Sequence, residues 1–185
     1  MSFISRRVML GGLGSFAALP AVAQGKKPAP PTPLPKPVDE AALPPGTRDM
    51  LARIRNAASS GDVQKLLIPI QRNEVPPLFE RGAKQSPIAT LKARSADGEG
   101  KEMLHILLRT LDAGAAALAS GAAPTQYLWP HFANTPFAKR NPAEKTASWS
   151  LVRVADIGLS TYRNEPLIHR VIIGAEGTWQ VFAVL

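Results

Sequence analysis

Eight of the chain's 18 prolines fall in residues 28–45, and this run decides which part of the 185 residues can build a core. Proline fixes φ and removes a backbone donor, so a stretch this dense cannot continue a helix or sit inside a sheet. Its only charges are Lys36, Asp39 and Glu40, and it reads as an extended polyproline II spacer. Such a spacer can hold a domain off a membrane or thread cell-wall mesh, or it can be a passive linker. The expectation is a linker over residues 24–46 and one folded domain over residues 47–185, a length that suits a single core.

Ahead of the prolines, Ser5-Arg6-Arg7-Val8-Met9-Leu10 runs into an uncharged segment of Gly, Ala and Leu that ends Ala21-Val22-Ala23-Gln24. A positive start, an apolar middle and an Ala-x-Ala end make an export signal, with cleavage expected after Ala23. The Arg6 and Arg7 pair resembles the twin-arginine class of signals, although Met9 stands where that pattern prefers Phe and Gly11 where it prefers Lys. A retained transmembrane anchor is the competing reading. Gly11, Gly12, Gly14 and Pro20 weigh against it, because a spanning helix needs about 20 strongly apolar residues. The sequence therefore places the protein in the periplasm, carried there by the twin-arginine translocase.

The chain has no cysteine, which excludes disulfides, thiolate metal sites and a lipid-modified mature N-terminus. Residues 46–185 carry about +5 against +8 for the whole chain. That excess, without a dense basic run, suits modest attraction to polyanions. For an exported protein these are the cell wall and the membrane surface rather than nucleic acid.

Within the folded part, Thr47 is expected to cap a helix with Met50, Leu51 and Ile54 inward and Gly61 at its end. Asp62 is expected to cap a shorter helix stopped by Pro69. Val75 to Phe79 reads as an extended crossing segment, and Ser86-Pro87 as the start of a third helix. The strongest pattern runs from Lys101 to Ser120, where Leu104, Leu107, Leu108, Leu111, Ala115 and Leu118 form one apolar stripe that predicts a central helix. Lys101, His105, Arg109 and Asp112 share its other face, suited to proton transfer, to anion binding or simply to surface pairing. Asn141-Pro142-Ala143-Glu144 predicts a helix to about Ala155, with residues 159–166 irregular. Leu167 to Ile173 and Thr178 to Leu185 read as a β-hairpin around a four-residue turn, in need of a third strand from Val75 to Phe79 or from Ser160 to Arg163. The predicted class is α+β, a mostly helical single domain with a C-terminal antiparallel hairpin.

Gln126-Tyr127-Leu128-Trp129-Pro130-His131-Phe132 is the densest aromatic stretch. As a loop it is built to grip sugars or peptides, with Tyr127, Trp129 and His131 as contacts and Arg109 nearby; as a plug it fills the core. The Tyr-x-Trp-Pro-x-Phe string at Tyr127 to Phe132, Gly61-Asp62 and the terminal Gly177-Thr178-Trp179-x-x-Phe182 resemble an uncharacterised family of exported proteins from alphaproteobacteria. That resemblance implies an envelope location and no mechanism. Ala183-Val184-Leu185 departs from it, since a polar tail is expected there.

No nucleophile elbow, zinc-protease helix, phosphate loop or dinucleotide fingerprint occurs. His105, His131 and His169 lack metal-ligand spacing, and no catalytic residue, metal or cofactor is predicted. The expectation is a non-enzymatic envelope binding protein contacting peptidoglycan, a membrane surface or another envelope protein. Two alternatives stand beside it. One is a small hydrolase of cell-wall or ester substrates with His131 or His105 as general base. The other is a structural partner subunit with an exposed hairpin edge.

Overall fold

A computed structural model describes residues 35–118 and 126–185. Arg6, Arg7, Ala21 and Ala23, with the leader and the first part of the expected linker, lie outside the described residues. The rest of the proline run is not a spacer. Its residues Lys36–Val38 form strand β1, Leu43 is buried, and helix α1 (Pro45–Ser59) starts on Pro45. β1 is an edge strand, where proline's missing donor costs least.

α1 buries Met50, Leu51, Ile54, Ala57 and Ala58 at the spacing the sequence predicts. Thr47 does not cap it. The residue lies buried inside the first turn and donates its hydroxyl to the Gly174 carbonyl at 2.9 Å. Gly61, at φ 72°, turns the chain, and Asp62 accepts from the Gln64 N–H at 2.9 Å to start a 3-10 turn. That turn runs straight into α2 (Leu67–Ile70), with Pro69 inside rather than ending it. Ser86 caps α3 (Pro87–Arg94) as expected. The Asp97 carboxylate then accepts the N–H groups of Glu99, Lys101 and Glu102. These bonds, above all that from Glu102, hold its pKa below the usual carboxylate range and organise the start of α4 (Lys101–Asp112).

α4 is shorter than its apolar stripe suggests. Gly114 takes φ 81°, and Ala115–Leu118 become strand β2 instead of two more helical turns. Alanine prefers helix, but here ladder bonds to a strand on each side outweigh a propensity of a few tenths of a kcal/mol per residue. Gln126–Trp129, expected in a loop, form β3. A capping box of Asn141 and Glu144 starts α5 (Pro142–Ser150), which stops well short of Ala155. Ile157–Arg163 form α6, although residues 159–166 are expected to be irregular or to supply a strand from Ser160 to Arg163. The hairpin is present as β4 (Arg170–Gly174) and β5 (Trp179–Ala183).

The five strands form one antiparallel sheet in the order β1-β2-β3-β4-β5. Leu78 supplies the extra pairing expected of Val75 to Phe79. It donates to Gln180 and accepts from Phe182, both at 2.8 Å, alongside β5. Alternation along the strands sends Tyr127, Trp129, Val171 and Ile173 to a core shared with α1, α3 and α4, while Leu128 and Ile172 meet Phe132, Leu151 and Ile168 on the opposite face. In β5 a bulge at Gln180 spaces Trp179 and Phe182 three apart yet turns both into the larger core. The result is an α+β fold in which a sheet much larger than a hairpin carries helices on both faces. No described helix is long and apolar enough to cross a membrane.

Candidate functional site

The residues predicted as a binding loop are separated by the strand they occupy. Trp129 is wholly buried against the helical face, so it is core and not a contact. Tyr127, two residues earlier on the same side, is half-buried and packs on that core. The competing reading of this stretch, a core plug, is the one the packing follows for Trp129 and Phe132. Arg109 is exposed on α4, and no hydrogen bond or ion pair joins it to Tyr127, Trp129 or His131 among the described residues. Its neighbours on that stripe pair elsewhere, Lys101 with Glu99 at 2.5 Å and Asp112 with Arg55 at 3.7 Å, so the stripe is not a ladder.

His131 has a structural post. Its Nδ1 lies 2.8 Å from the Ala113 carbonyl and its Nε2 lies 3.3 Å from Oε1 of Glu144. The other carboxylate oxygen of Glu144 accepts from the Asn141 N–H in the capping box. One imidazole thus ties the turn after α4 to the first turn of α5, with both ring nitrogens facing protein oxygens. His169 is 1% exposed against the Phe182 ring, and its Nδ1 has no partner. Burial, with Arg153 and Arg94 nearby, drives its pKa down to about 3. Among the described residues, no group of three His, Cys, Asp or Glu side chains is placed to hold a metal ion.

Sequence reasoning missed a cationic pair. Arg140, just before the α5 cap, is buried without an ion pair. It donates to the Thr135 carbonyl at 3.0 Å and the Ser148 hydroxyl at 2.7 Å, with its guanidinium 5.1 Å from the Phe132 ring centre and 5.7 Å from that of Phe137. Burial lowers its pKa first, and the field of Arg170 lowers it further. Arg170, at the start of β4, donates to Asn134 Oδ1 at 2.9 Å, and its Nε is buried with no partner among the described residues. Burial lowers the Arg170 pKa too, opposed by Glu165. Two guanidinium groups close enough to repel would ordinarily bracket a carboxylate, and among the described residues no carboxylate lies within ion-pair distance of either.

Beside them opens a cleft of about 450 Å³ lined by Phe137, Lys145, Arg163 and Glu165. Phe137 joins the two, its ring under Arg140 and perpendicular to that of Trp149 at 6.3 Å between ring centres. Neither Lys145 nor Arg163 has an ion-pair partner among the described residues. Cations thus outnumber carboxylates here, next to aromatic faces, in a shape suited to holding an anion and not to activating a nucleophile. Only Lys139-Arg140 hints at it in the sequence; Arg163 and Arg170 arrive from later elements that the sheet brings across.

No family model, curated protein or solved structure matches this chain.

Proposed function

We propose that this protein is an exported, non-enzymatic binding component of the cell envelope, working in the periplasm after removal of a twin-arginine signal. The carrying observation is Lys145 and Arg163, which line the cleft beside Phe137 with no ion pair among the described residues, while buried Arg140 lies over the Phe137 ring. Unspent cations beside an open cleft suit an anionic partner. Peptidoglycan, a membrane surface and another envelope protein all offer one. Export supplies the compartment in which such polyanions replace nucleic acid.

Sedimentation with isolated sacculi and with envelope membranes, at low and near-physiological salt, tests the reading. Binding by the wild type, weakened in a folded Lys145→Gln, Arg163→Gln variant, supports it; binding to neither material overturns it. Fractionation of cells carrying Arg6→Lys, Arg7→Lys tests export, with cytoplasmic retention as the expected result.

The His131–Glu144 contact favours one other reading, a small hydrolase with His131 as base. Both ring nitrogens already face protein oxygens, which leaves no nitrogen to activate a water. Ester or cell-wall hydrolysis lost in His131→Gln at unchanged melting temperature would revive it.

A further inference from the structure

The short helix α6 is built inside out. Of its seven residues only Ser160 is buried. Tyr162 is 88% exposed, Ile157 49% and Leu159 45%, and Val154 just before the helix is 68% exposed. Amphipathic helices on a folded domain normally turn such side chains inward. Here the helix is anchored by polar groups instead. Arg153 pairs with Asp156 at 2.7 Å, and the Ser160 hydroxyl accepts from the Leu167 N–H at 3.1 Å. At 100° per residue Tyr162 stands about 200° around the helix from Ser160, with Leu159 about 60° from Tyr162 and Ile157 on the opposite side, about 60° from Ser160. Five of the eight large apolar side chains exposed among the described residues fall between Trp149 and Tyr162, so apolar exposure is concentrated on this one segment.

The patch is continuous with the cationic cleft. Arg163 ends α6 and lines that cleft with Lys145 and Phe137, and Phe137 touches Trp149. Lys145 and Arg163 line the cleft with a single carboxylate, Glu165, and the buried Arg140 guanidinium adds its charge from beneath Phe137. Asp156, the other acid on this element, is neutralised by Arg153. A row of apolar tips beside unpaired cations is complementary to one surface above others, a bilayer that offers acyl chains beneath anionic headgroups. A protein partner would be expected to meet so basic a rim with its own acids, and a second copy of this chain would bring cation against cation.

We infer that α6 docks this protein on an anionic phospholipid surface, with Val154, Ile157, Leu159 and Tyr162 entering the interface and Lys145 and Arg163 holding phosphate groups. This deepens the envelope-binding reading and rests on it. The docking is peripheral and salt-sensitive, since two cations and four apolar tips fall far short of a spanning helix.

The chain carries its own reporter. It has three tryptophans, Trp129 and Trp179 are wholly buried, and Trp149 at 38% exposure sits beside the patch. Residues 1–34 contain no tryptophan, so Trp149 emission reads the docking of α6 even where the leader itself binds lipid.

The experiment is titration of the full chain with vesicles containing brominated phosphatidylglycerol, beside brominated phosphatidylcholine vesicles. Saturable quenching and a blue shift on the anionic vesicles alone are expected. Ile157→Ser with Tyr162→Ser should weaken the titration by about tenfold. Lys145→Gln with Arg163→Gln should weaken it by a similar factor and remove most of its salt dependence. Near-UV circular dichroism checks that each variant is folded. Absence of quenching on anionic vesicles, or equal quenching on both lipids, overturns the inference. So does a lipid-free dimer abolished by Ile157→Ser and Tyr162→Ser, which would give the patch to a second copy. Sacculus binding with a silent Trp149 overturns this inference while leaving the envelope reading standing; binding to neither sacculi nor vesicles removes both.

Discussion

Thr47 and Gly174, 127 residues apart, are joined by a 2.9 Å hydrogen bond from the threonine hydroxyl to the glycine carbonyl. Around it the first turn of α1 is pressed against the β4–β5 turn. A Cβ on Gly46 would stand 2.7 Å from the Glu176 carbonyl, and one on Gly177 would stand 2.5 Å from the Gly46 oxygen. Gly177 also sits at φ 89°, where a side chain is strained whatever the space. The two ends of the folded chain therefore meet backbone to backbone.

Substitution at this contact should act on stability alone. Gly177→Ala is expected to cost about 3 kcal/mol or more, a fall in melting temperature of roughly 10 °C, through combined strain and overlap. Thr47→Val keeps the shape and removes the bond, and should cost about 1 to 2 kcal/mol. Thermal unfolding followed by circular dichroism separates them.

Trp129 and Tyr162 should behave in opposite ways. Trp129→Ala empties a site in the main core and is expected to cost about 3 to 5 kcal/mol, leaving little folded protein. Tyr162→Ser is expected to leave the melting temperature within about 2 °C of wild type, since an exposed side chain contributes within about 0.5 kcal/mol. Equal effects would mean that the aromatic residues had been assigned to the wrong sides of the fold.

Arg140 is held by its geometry as well as by its charge. Arg140→Ala should cost about 2 to 4 kcal/mol, by stranding the Thr135 carbonyl, removing the donor to the Ser148 hydroxyl and uncovering Phe132. Arg140→Lys should recover little of this, because an ammonium cannot span both acceptors while lying on the ring. Urea unfolding of the three proteins measures the difference.

His169 gives the fold an acid-sensitive component. Its folded pKa, about 3, lies below the ordinary 6.5, so the unfolded chain takes up a proton that the folded chain refuses. The stabilising contribution is complete above about pH 6.5 and declines as pH falls from there toward 3. His169→Phe, apolar and of similar size beside Phe182, should flatten that part of the profile and change little at pH 8. An unchanged acid slope in the variant would place the proton uptake elsewhere.

Much of the fold was legible because its signals are local. The Ser86-Pro87 and Asn141–Glu144 starts, the inward residues of α1 and the closing hairpin all rest on contacts within a few residues, and each is found where the sequence points. The misreadings share a cause. Ala115–Leu118 have helical composition and become a strand because β1 and β3 lie on either side; Lys36–Val38 read as a spacer and join that sheet because its edge is open to them. Trp129 reads as a ligand contact until the register of β3 turns it inward.

By itself the sequence determined the α+β class, the caps at Asp62, Ser86 and Asn141, and the absence of disulfides and of any familiar catalytic motif, since these follow from residue type and near spacing. Only the tertiary structure decided which aromatic residues face the core, that His131 is a tie between two elements, and that Arg140, Lys145 and Arg163 meet at Phe137. Strand pairing and side-chain burial are settled by partners far along the chain, and no local pattern encodes which partner a strand will find.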